Sequence, residues 1–313
     1  MPRIKLIINP WADRGRAADR ANALRGLIDE FVARPPGGGG PYEVQWVGTV
    51  YPGQASDHAQ EAAEEGYDIV VAVGGDGTVN EVINGLMRIP ADERPALGVI
   101  PVGSGNDFAH NIGLPDSPGE SIRHLFNGGT RLIDVARITD GSGRTAYYGN
   151  TAHLGFGGAV AIATRKITLV RGFWIYLLAV LQTIAVNHKP ARLRVTLDGE
   201  MMADEMALFI VANGPREGGG FHVAPGAQMD DGLLNYVYIR KVTRVVLLRL
   251  LPEVMNAAHM RFPQVGGGTA RRITIESDRG WPIHTDGEIY GPWEADIRRV
   301  EVEVVPASLR VVV

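Results

Sequence analysis

The chain of 313 residues contains no cysteine. Neither a disulfide framework nor a cysteine-ligated metal cluster is therefore open to it. It also has no excess of charge of one sign, with a formal net charge of −4. That balance gives no electrostatic reason to expect a nucleic-acid partner. Long hydrophobic runs are missing too. The most lipid-like stretch, GFWIYLLAVLQTIAV over residues 172–186, includes Gln182 and is shorter than the ~20 residues a membrane helix needs. It reads as a buried or partly exposed helix. The first residues enter a strand pattern without the basic-then-apolar order of a signal sequence. The expectation is a cytoplasmic protein that visits the membrane surface. No internal repeat is evident. With 45% hydrophobic residues, a chain of this length can build two cores.

What is present is a recurring strand–glycine–helix pattern. The apolar run Asp68–Val73 stops at Gly74 and Gly75, then come Asp76, Gly77, Thr78 and helix-like sequence. This reads as a buried strand, a tight turn and a helix N-terminus. Glycine has no Cβ, so backbone N–H groups at such a turn can approach a phosphate closely. A carboxylate at Asp76 repels a polyphosphate unless a cation stands between them, which points to Mg²⁺. The competing explanation is a glycine turn shaped only for tight strand–helix packing. A second such unit follows, with the apolar run Leu97–Pro101 leading into Gly103, Ser104, Gly105, Asn106 and Asp107. A third loop, opening at Asn9–Pro10 and containing Gly15, follows the strand Ile4–Ile8. Parallel sheets bring such strand ends to one edge, where ligands bind.

The first part of the chain alternates strand and helix signals. Asp19–Ala33 carries Leu24, Leu27, Ile28 and Phe31 at helical spacing. Pro35–Pro41 is a flexible glycine-rich loop, Tyr42–Val47 a strand and Ser56–Glu65 a helix. This βαβ order predicts a doubly wound parallel sheet. After about Arg131 strands dominate, at Leu132–Thr139, Ala191–Leu197, Ala207–Ala212, Leu233–Ile239, Arg272–Glu276 and Val300–Val305. The expected organisation is an α/β nucleotide-binding domain over residues 1–131 and a largely antiparallel, β-rich domain over 132–313.

Two acidic motifs fall in the second part. Asp230–Asp231–Gly232 reads locally as a solvated Asp–Gly turn, with an oxygen site for a hard cation as the alternative. Asp286 and Glu288 flank Gly287. On extended chain they would project from one side, while a simple Asp–Gly hairpin turn is the competing reading. His110, His153, His222, His259 and His284 show no metal-ligand spacing and read as satisfied surface or core histidines. His222 follows Gly218–Phe221, a loop able to line a cleft. Arg14, Arg16, Arg165, Lys166 and Arg171 could meet anionic headgroups, but isolated basic residues more often make a solvated face.

Taken in order, Asn9–Pro10, Gly74–Thr78, Gly103–Ala109, Asn150 with Gly155–Gly157, Asp231–Leu233 and Asp286–Glu288 resemble the motifs of the diacylglycerol kinase catalytic-domain family, which includes bacterial lipid kinases and sphingosine kinases. The resemblance spans nearly the whole chain. Gly74–Thr78 alone is shared with NAD kinases. The resemblance implies an α/β domain of the NAD kinase/diacylglycerol kinase type followed by a β-sandwich. It implies a kinase that moves the γ-phosphoryl of ATP to the hydroxyl of diacylglycerol or a related lipid alcohol. Asn9, Thr49, Gly74, Gly75, Asp76, Gly77, Thr78, Gly103, Ser104 and Asn106 would hold the nucleotide. Asp76 and Asp107 would anchor its Mg²⁺, directly or through water. Glu288 would be the general base, supported by Asp286. Asp231, with the main-chain oxygens of Gln228 and Leu233, would hold a structural Mg²⁺. Peripheral membrane association is expected, and a homodimer through the β-rich domain is compatible with the resemblance.

The chain departs from the family at two places. Many members carry a Ser–Gly pair after the Asn–Pro, where this chain has Ala12–Asp13, and bacterial members usually have threonine at the position of Ser104. Two alternatives stand beside the lipid kinase. One is an NAD kinase-like enzyme with a soluble substrate, against which the chain lacks an Ala-Leu-Asn-Glu string. The other is an idle nucleotide-binding regulator, in which Asp76, Asp107 and Glu288 would have no evident use.

Overall fold

The computed structural model describes residues 1–10, 12–33, 41–167, 170, 173–186 and 189–313, the side chains of residues 12–21 and 173 excepted. Trp11, most of the glycine-rich stretch 35–41 and Arg171 therefore lie outside the described residues, as do the side chains of Ala12, Asp13, Arg14 and Arg16 and the surroundings of Gly15. Contacts group the chain into two units. The first holds Met1–Ile133 with Ala307–Val313, and the second holds Asp134–Pro306.

The first unit runs β1 (Arg3–Ile8), α1 (Ala12–Ala33), β2 (Glu43–Gly48), α2 (Gln54–Glu64), β3 (Ile69–Gly74), α3 (Asp76–Leu86), β4 (Ala96–Pro101), α4 (Asp107–Asn111) and α5 (Pro118–Asn127). The strands are parallel in the order β2-β1-β3-β4. The end of the chain's last strand pairs in parallel beyond β4, with Val311 opposite Leu97. β3 and β4 are almost wholly buried, the pattern of parallel strands covered on both faces. Ile28 of α1 and Ile122, Leu125 and Phe126 of α5 share one core with Ile4, Leu6, Val71, Val73 and Ile100. α2 and α3 pack together. Their approach needs Gly85, because a Cβ there would collide with the carbonyl of Ser56. Chain order reverses between β1 and β3, and such a reversal leaves a crevice at the carboxyl ends of the strands.

The second unit contains β5 (Thr130–Asp140, its first residues in the first unit), β6 (Thr145–Tyr148), β7 (Thr151–Gly155), α6 (Phe156–Thr164), α7 (Phe173–Val186), β8 (Ala191–Leu197), β9 (Glu200–Ala212), β10 (Leu234–Arg240), α8 (Arg244–Met255), β11 (Val265–Ala270), β12 (Arg272–Ser277), β13 (Ile283–Thr285), β14 (Glu288–Gly291) and β15 (Arg299–Val312). Pairing here is antiparallel. β9 takes β8 along its first half, β7 along its second, and β10 on its other edge. One strand thereby pairs with three others in the β-sandwich. Tyr148, Leu154, Phe209, Ile273, Trp281 and Val302 form the main core. A second apolar cluster gathers Leu208, Ile210, Val237 and Ile239 under Leu247 and Leu250 of α8.

Candidate functional site

Four loops leave the carboxyl edge of the parallel sheet together. The amide of Asn9 donates to the carbonyl of Val73 (3.3 Å), that of Thr49 to Ile8 (2.9 Å), and that of Val102 to Gly74 (3.0 Å). Each bond extends the strand pairing one step past the strand end. Asn9, Thr49, Gly74–Thr78 and Gly103–Asn106 are thus brought to one edge. Gly75 and Gly103 meet backbone to backbone. A Cβ on Gly75 would lie 3.2 Å from the Cα of Gly103, and one on Gly103 would overlap Gly75. Asn106 adopts the left-handed conformation (φ 56°). Its Oδ1 accepts the Gly103 amide at 3.0 Å and its Nδ2 donates to the Gly103 carbonyl at 3.2 Å, closing the second loop on itself.

Asp76 ties the two glycine loops together. Its Oδ1 accepts the amide of Phe108 at 2.9 Å, in the first turn of α4. Asp107 is buried beside it in sequence, Asp76 is half-buried, and Ser104 is exposed at the loop tip. The hydroxyl of Thr78 is buried and has no hydrogen-bond partner among the described residues. α3 starts at Asp76. The first amides of a helix have no intrahelical acceptor, and the helix dipole places its positive end there. Two glycine loops in backbone contact, a positive helix end and a half-buried carboxylate together fit a polyphosphate with Mg²⁺. The sequence reading did not single out Glu81, whose carboxylate accepts the amides of Gly53 (2.9 Å) and Ala55 (3.1 Å) and so caps α2.

The second unit encloses a cavity of about 140 Å³. Phe156, Val180, Ile210, Phe221, Leu247 and Val254 line it, and it is mainly apolar, with His153, Glu217 and His284 grouped on its wall. These three stand together in space, although the histidines show no metal-ligand spacing in the sequence. β7 and β13 pair with His153 opposite His284, and the ring centroids stand 4.7 Å apart. The Nε2 of His153 lies 2.6 Å from Oε2 of Glu217, and the Nδ1 of His284 lies 3.4 Å from its Oε1. The hydroxyl of Thr151 donates to Oε2 as well. Burial pushes the Glu217 carboxyl up, but the two imidazoles and the hydrogen bonds from His153 and Thr151 outweigh it and hold the carboxyl at about 2. Burial, with help from His153 and against the pull of Glu217, lowers His284 to about 4.

Local sequence explains how Glu217 reaches this place. Glu217 and Phe221 exchange backbone hydrogen bonds at 2.9 Å. The three glycines between them all have positive φ (68°, 74° and 155°), which other residues rarely adopt. That glycine run was the available signal for the loop; the partners of Glu217 had none. His259 is buried, with Nε2 3.2 Å from the Val223 carbonyl and no hydrogen-bond partner for Nδ1 among the described residues.

Asp286 and Glu288 do not project from one side, which corrects the extended-chain expectation. Thr285 pairs directly with Glu288. Asp286 (φ 49°) and Gly287 (φ 82°) form the two-residue turn between them, a tight hairpin of the kind that Asp–Gly favours. Asp286 is buried. Its Oδ2 accepts the amide of Gly149 (2.8 Å), and its Oδ1 accepts those of Asn150 and Thr151 (2.9 Å each). Glu288 is exposed and accepts a hydrogen bond from Nη2 of Arg165 at 2.7 Å. Gly287 and Thr164, the chain neighbours of that pair, both line the cavity, so Glu288 and Arg165 stand at its rim.

At the other acidic motif, Oδ1 of Asp231 accepts the amide of Leu233 at 2.9 Å, making an Asx turn. The buried Asp134 accepts the amide of Gly232 at 2.7 Å and gives its own amide to Met229. Gln228, Asp231 and Leu233 thus belong to one tightly folded loop.

A parallel sheet with glycine loops on its carboxyl edge, followed in the same chain by an antiparallel β-sandwich, is the architecture shared by NAD kinases and diacylglycerol kinases. Residues 3–138 match the family model of the diacylglycerol kinase catalytic domain, and residues 150–313 match that of the YegS C-terminal NAD kinase beta sandwich-like domain. The chain is 32% identical to a diacylglycerol kinase of Mycobacterium tuberculosis, covering 99% of this chain and 94% of the relative. It is 30% identical to a diacylglycerol kinase of Bacillus subtilis, covering 93% and 91%. A crystal structure of a diacylglycerol kinase from Bacillus anthracis shares the fold, with a TM-score of 0.72 at 20% identity over 99% of this chain and 96% of that one. The chain belongs to the diacylglycerol kinase catalytic-domain family, a family of lipid kinases.

Proposed function

We propose that this lipid kinase uses ATP and Mg²⁺ to phosphorylate the hydroxyl of diacylglycerol or a related lipid alcohol. The observation that carries the reading is the apolar cavity with the Asp286–Glu288 hairpin at its rim. An acyl chain in the cavity leaves its polar head at the rim, beside the Glu288 carboxylate. In the first unit, Asn9, Thr49, Gly74, Gly75, Gly77, Thr78, Gly103, Ser104 and Asn106 hold the nucleotide, with backbone amides and the start of α3 facing its phosphates. Asp76 and Asp107 hold Mg²⁺, which supplies charge neutralisation on the terminal phosphates. Glu288 accepts the hydroxyl proton as the lipid oxygen bonds to the γ-phosphorus and the bond to the bridging oxygen breaks, leaving ADP. To do so it exchanges Arg165 for the lipid hydroxyl. Asp286 acts at one remove, by holding the turn that presents Glu288. Asp231 and the carbonyls of Gln228 and Leu233 offer oxygen donors on one loop, as a structural Mg²⁺ requires.

Membrane docking has its own support. Among the described residues no helix is long and apolar enough to cross a membrane. α7 and α8 each give one face to the cavity and expose apolar side chains elsewhere, including Trp174, Leu178, Leu181, Val245 and Leu248. Helices that stay apolar on an exposed face mark an interaction surface. Here a lipid bilayer is the fitting partner, because the substrate must leave it to enter the cavity.

The test is phosphoryl transfer from γ-labelled ATP with Mg²⁺ to lipid alcohols in mixed micelles, with NAD as the soluble control. The panel holds diacylglycerol, monoacylglycerol, phosphatidylglycerol, sphingosine and an undecaprenol. We expect label in a glycerolipid and a fall in kcat of at least about a hundredfold in Glu288→Gln, the usual scale for loss of a general base, with ATP affinity unchanged. Label in NAD alone sinks the reading.

A further inference from the structure

The cavity wall beside Gly287 carries more polar chemistry than phosphoryl transfer requires. The Nδ1 of His284 accepts the amide of Gly287 at 3.2 Å. A neutral imidazole with its Nδ1 lone pair so used carries its proton on Nε2. No described residue takes a hydrogen bond from that Nε2, and His284 lines the cavity. Glu217 gives Oε2 to the hydroxyl of Thr151 and the ring of His153, and its Oε1 lies 3.4 Å from Nδ1 of His284, so its carboxylate stands on the Nδ1 side of the ring. Most of the cavity lining is apolar, so a neutral N–H donor stands on a wall that a lipid would meet.

The same distances speak against a metal ion held by the three side chains, although their donor atoms lie within 4.8 Å of one another. Two ligand atoms at about 2.0–2.1 Å from a tetrahedral zinc stand about 3.3 Å apart. The Nε2 of His153 and Oε2 of Glu217 are 2.6 Å apart, in direct contact. The Nδ1 of His284 already faces a backbone amide. The trio is a tightly packed polar cluster, with Nε2 of His284 as its outgoing donor.

We propose that the Nε2–H of His284 donates to an oxygen acceptor on the lipid backbone, so that the site selects an acylated glycerol, through its ester carbonyl, over ether lipids and plain long-chain alcohols. This rests on the reading that the cavity receives the lipid. The physical basis is asymmetric. A buried donor that finds a carbonyl is satisfied, whereas one facing a methylene chain or a weakly accepting ether oxygen is left unpaired, and sites built to hydrogen-bond discriminate strongly against analogues lacking the partner.

The experiment compares kcat/KM for a diester glycerol and its diether analogue in the wild type, His284→Phe and His284→Gln. The wild type should favour the diester by about tenfold, the effect of one net hydrogen bond. His284→Phe should bring the ratio to near unity, and His284→Gln, which keeps an N–H donor, should retain most of it. A purely structural role lowers both substrates together and leaves the ratio unchanged, and an unchanged ratio overturns the proposal. Binding gives a second readout that does not depend on turnover. Diacyl and dialkyl propanediols, which lack the phosphorylated hydroxyl, are titrated against a cavity-bound fluorescent fatty acid. Failure of every lipid to accept phosphate counts against the kinase substrate, while equal displacement by the two propanediols counts against His284. One equivalent of zinc in the purified protein, lost in Glu217→Gln, also overturns the proposal.

Discussion

Two carboxylates separated by one glycine have opposite physics here. Asp286 is buried with three backbone amides on its oxygens, while Glu288 is exposed and meets only a surface guanidinium among the partners described for it. Hydrogen bonds to a charged group contribute about 1.5–3 kcal/mol each, and the amides of Gly149, Asn150 and Thr151 lose theirs together. Asp286→Ala is therefore expected to cost about 3 kcal/mol or more in urea unfolding, and Glu288→Gln to leave stability within about 0.5 kcal/mol, as at most surface sites. The Glu217 network sets a pH dependence at the same scale. Its carboxyl sits at about 2 in the fold, below the ordinary 4.5. The unfolded chain thus takes up that proton first, and the stability present above about 4.5 is lost as pH falls towards 2. His284 works in the same direction, since its folded value of about 4 lies below the ordinary 6.5. The unfolded chain binds that proton first from 6.5 down to 4. The melting temperature should fall as pH drops below about 6.5. The fall should be shallower in a Glu217→Gln, His284→Phe double variant. Equal slopes in the two proteins would refute the assignment.

At the scale of elements, the glycine loops and the paired helices α7 and α8 differ in how much their sequence reveals. A run such as Gly74–Thr78 states its backbone requirement locally, and the contact of Gly75 with Gly103 shows why side chains are excluded from both positions. α7 is apolar around nearly its whole circumference, Gln182 and Thr183 excepted. Its sequence forecasts a buried or partly exposed helix and says nothing about which face meets the cavity. The structure turns Tyr176, Val180 and Ile184 to the cavity and leaves Leu178 exposed; on α8, Leu247 and Leu250 turn inward and Val245 is 73% exposed. Replacing Leu178 and Val245 with serine should leave stability within about 1 kcal/mol, since surface substitutions have small effects. It should weaken co-sedimentation with lipid vesicles several-fold, because each buried apolar side chain contributes about 1.5–3 kcal/mol. Undiminished sedimentation would show that another face docks. The strands β13 and β14 gave no usable pattern, being only three and four residues long. β15 continues past the Val300–Val305 pattern through Pro306 and a left-handed Ala307 (φ 46°), an irregularity that interrupts the alternation on which strand recognition depends.

At the scale of the molecule, the chain returns at its end to the unit in which it begins. Leu309 and Val311 are fully buried there, Val311 pairs with Leu97, and the Arg94 guanidinium bonds the Ser308 carbonyl. Removing residues 307–313 strips three buried aliphatic side chains, Leu309, Val311 and Val312, and uncovers the edge of β4, at a cost of at least about 5 kcal/mol. We expect loss of ATP binding and of the first unit's cooperative melt, and an unaltered melt would show that the tail is dispensable.

The sequence by itself determined the βαβ order, the change to antiparallel strands, the glycine loops at strand ends and the family. Each is written in neighbouring residues, as hydrophobic period or as a backbone conformation that only glycine reaches easily. The tertiary structure alone decided that Asp286 is an internal anchor and Glu288 a rim carboxylate, that His153 faces His284, and that Glu217 joins them under an apolar roof. Those outcomes depend on the pairing of β7 with β13 and on a loop closed between Glu217 and Phe221. Pairing between strands distant in sequence is set by the packing of the whole core, and it leaves no local mark on the residues it brings together.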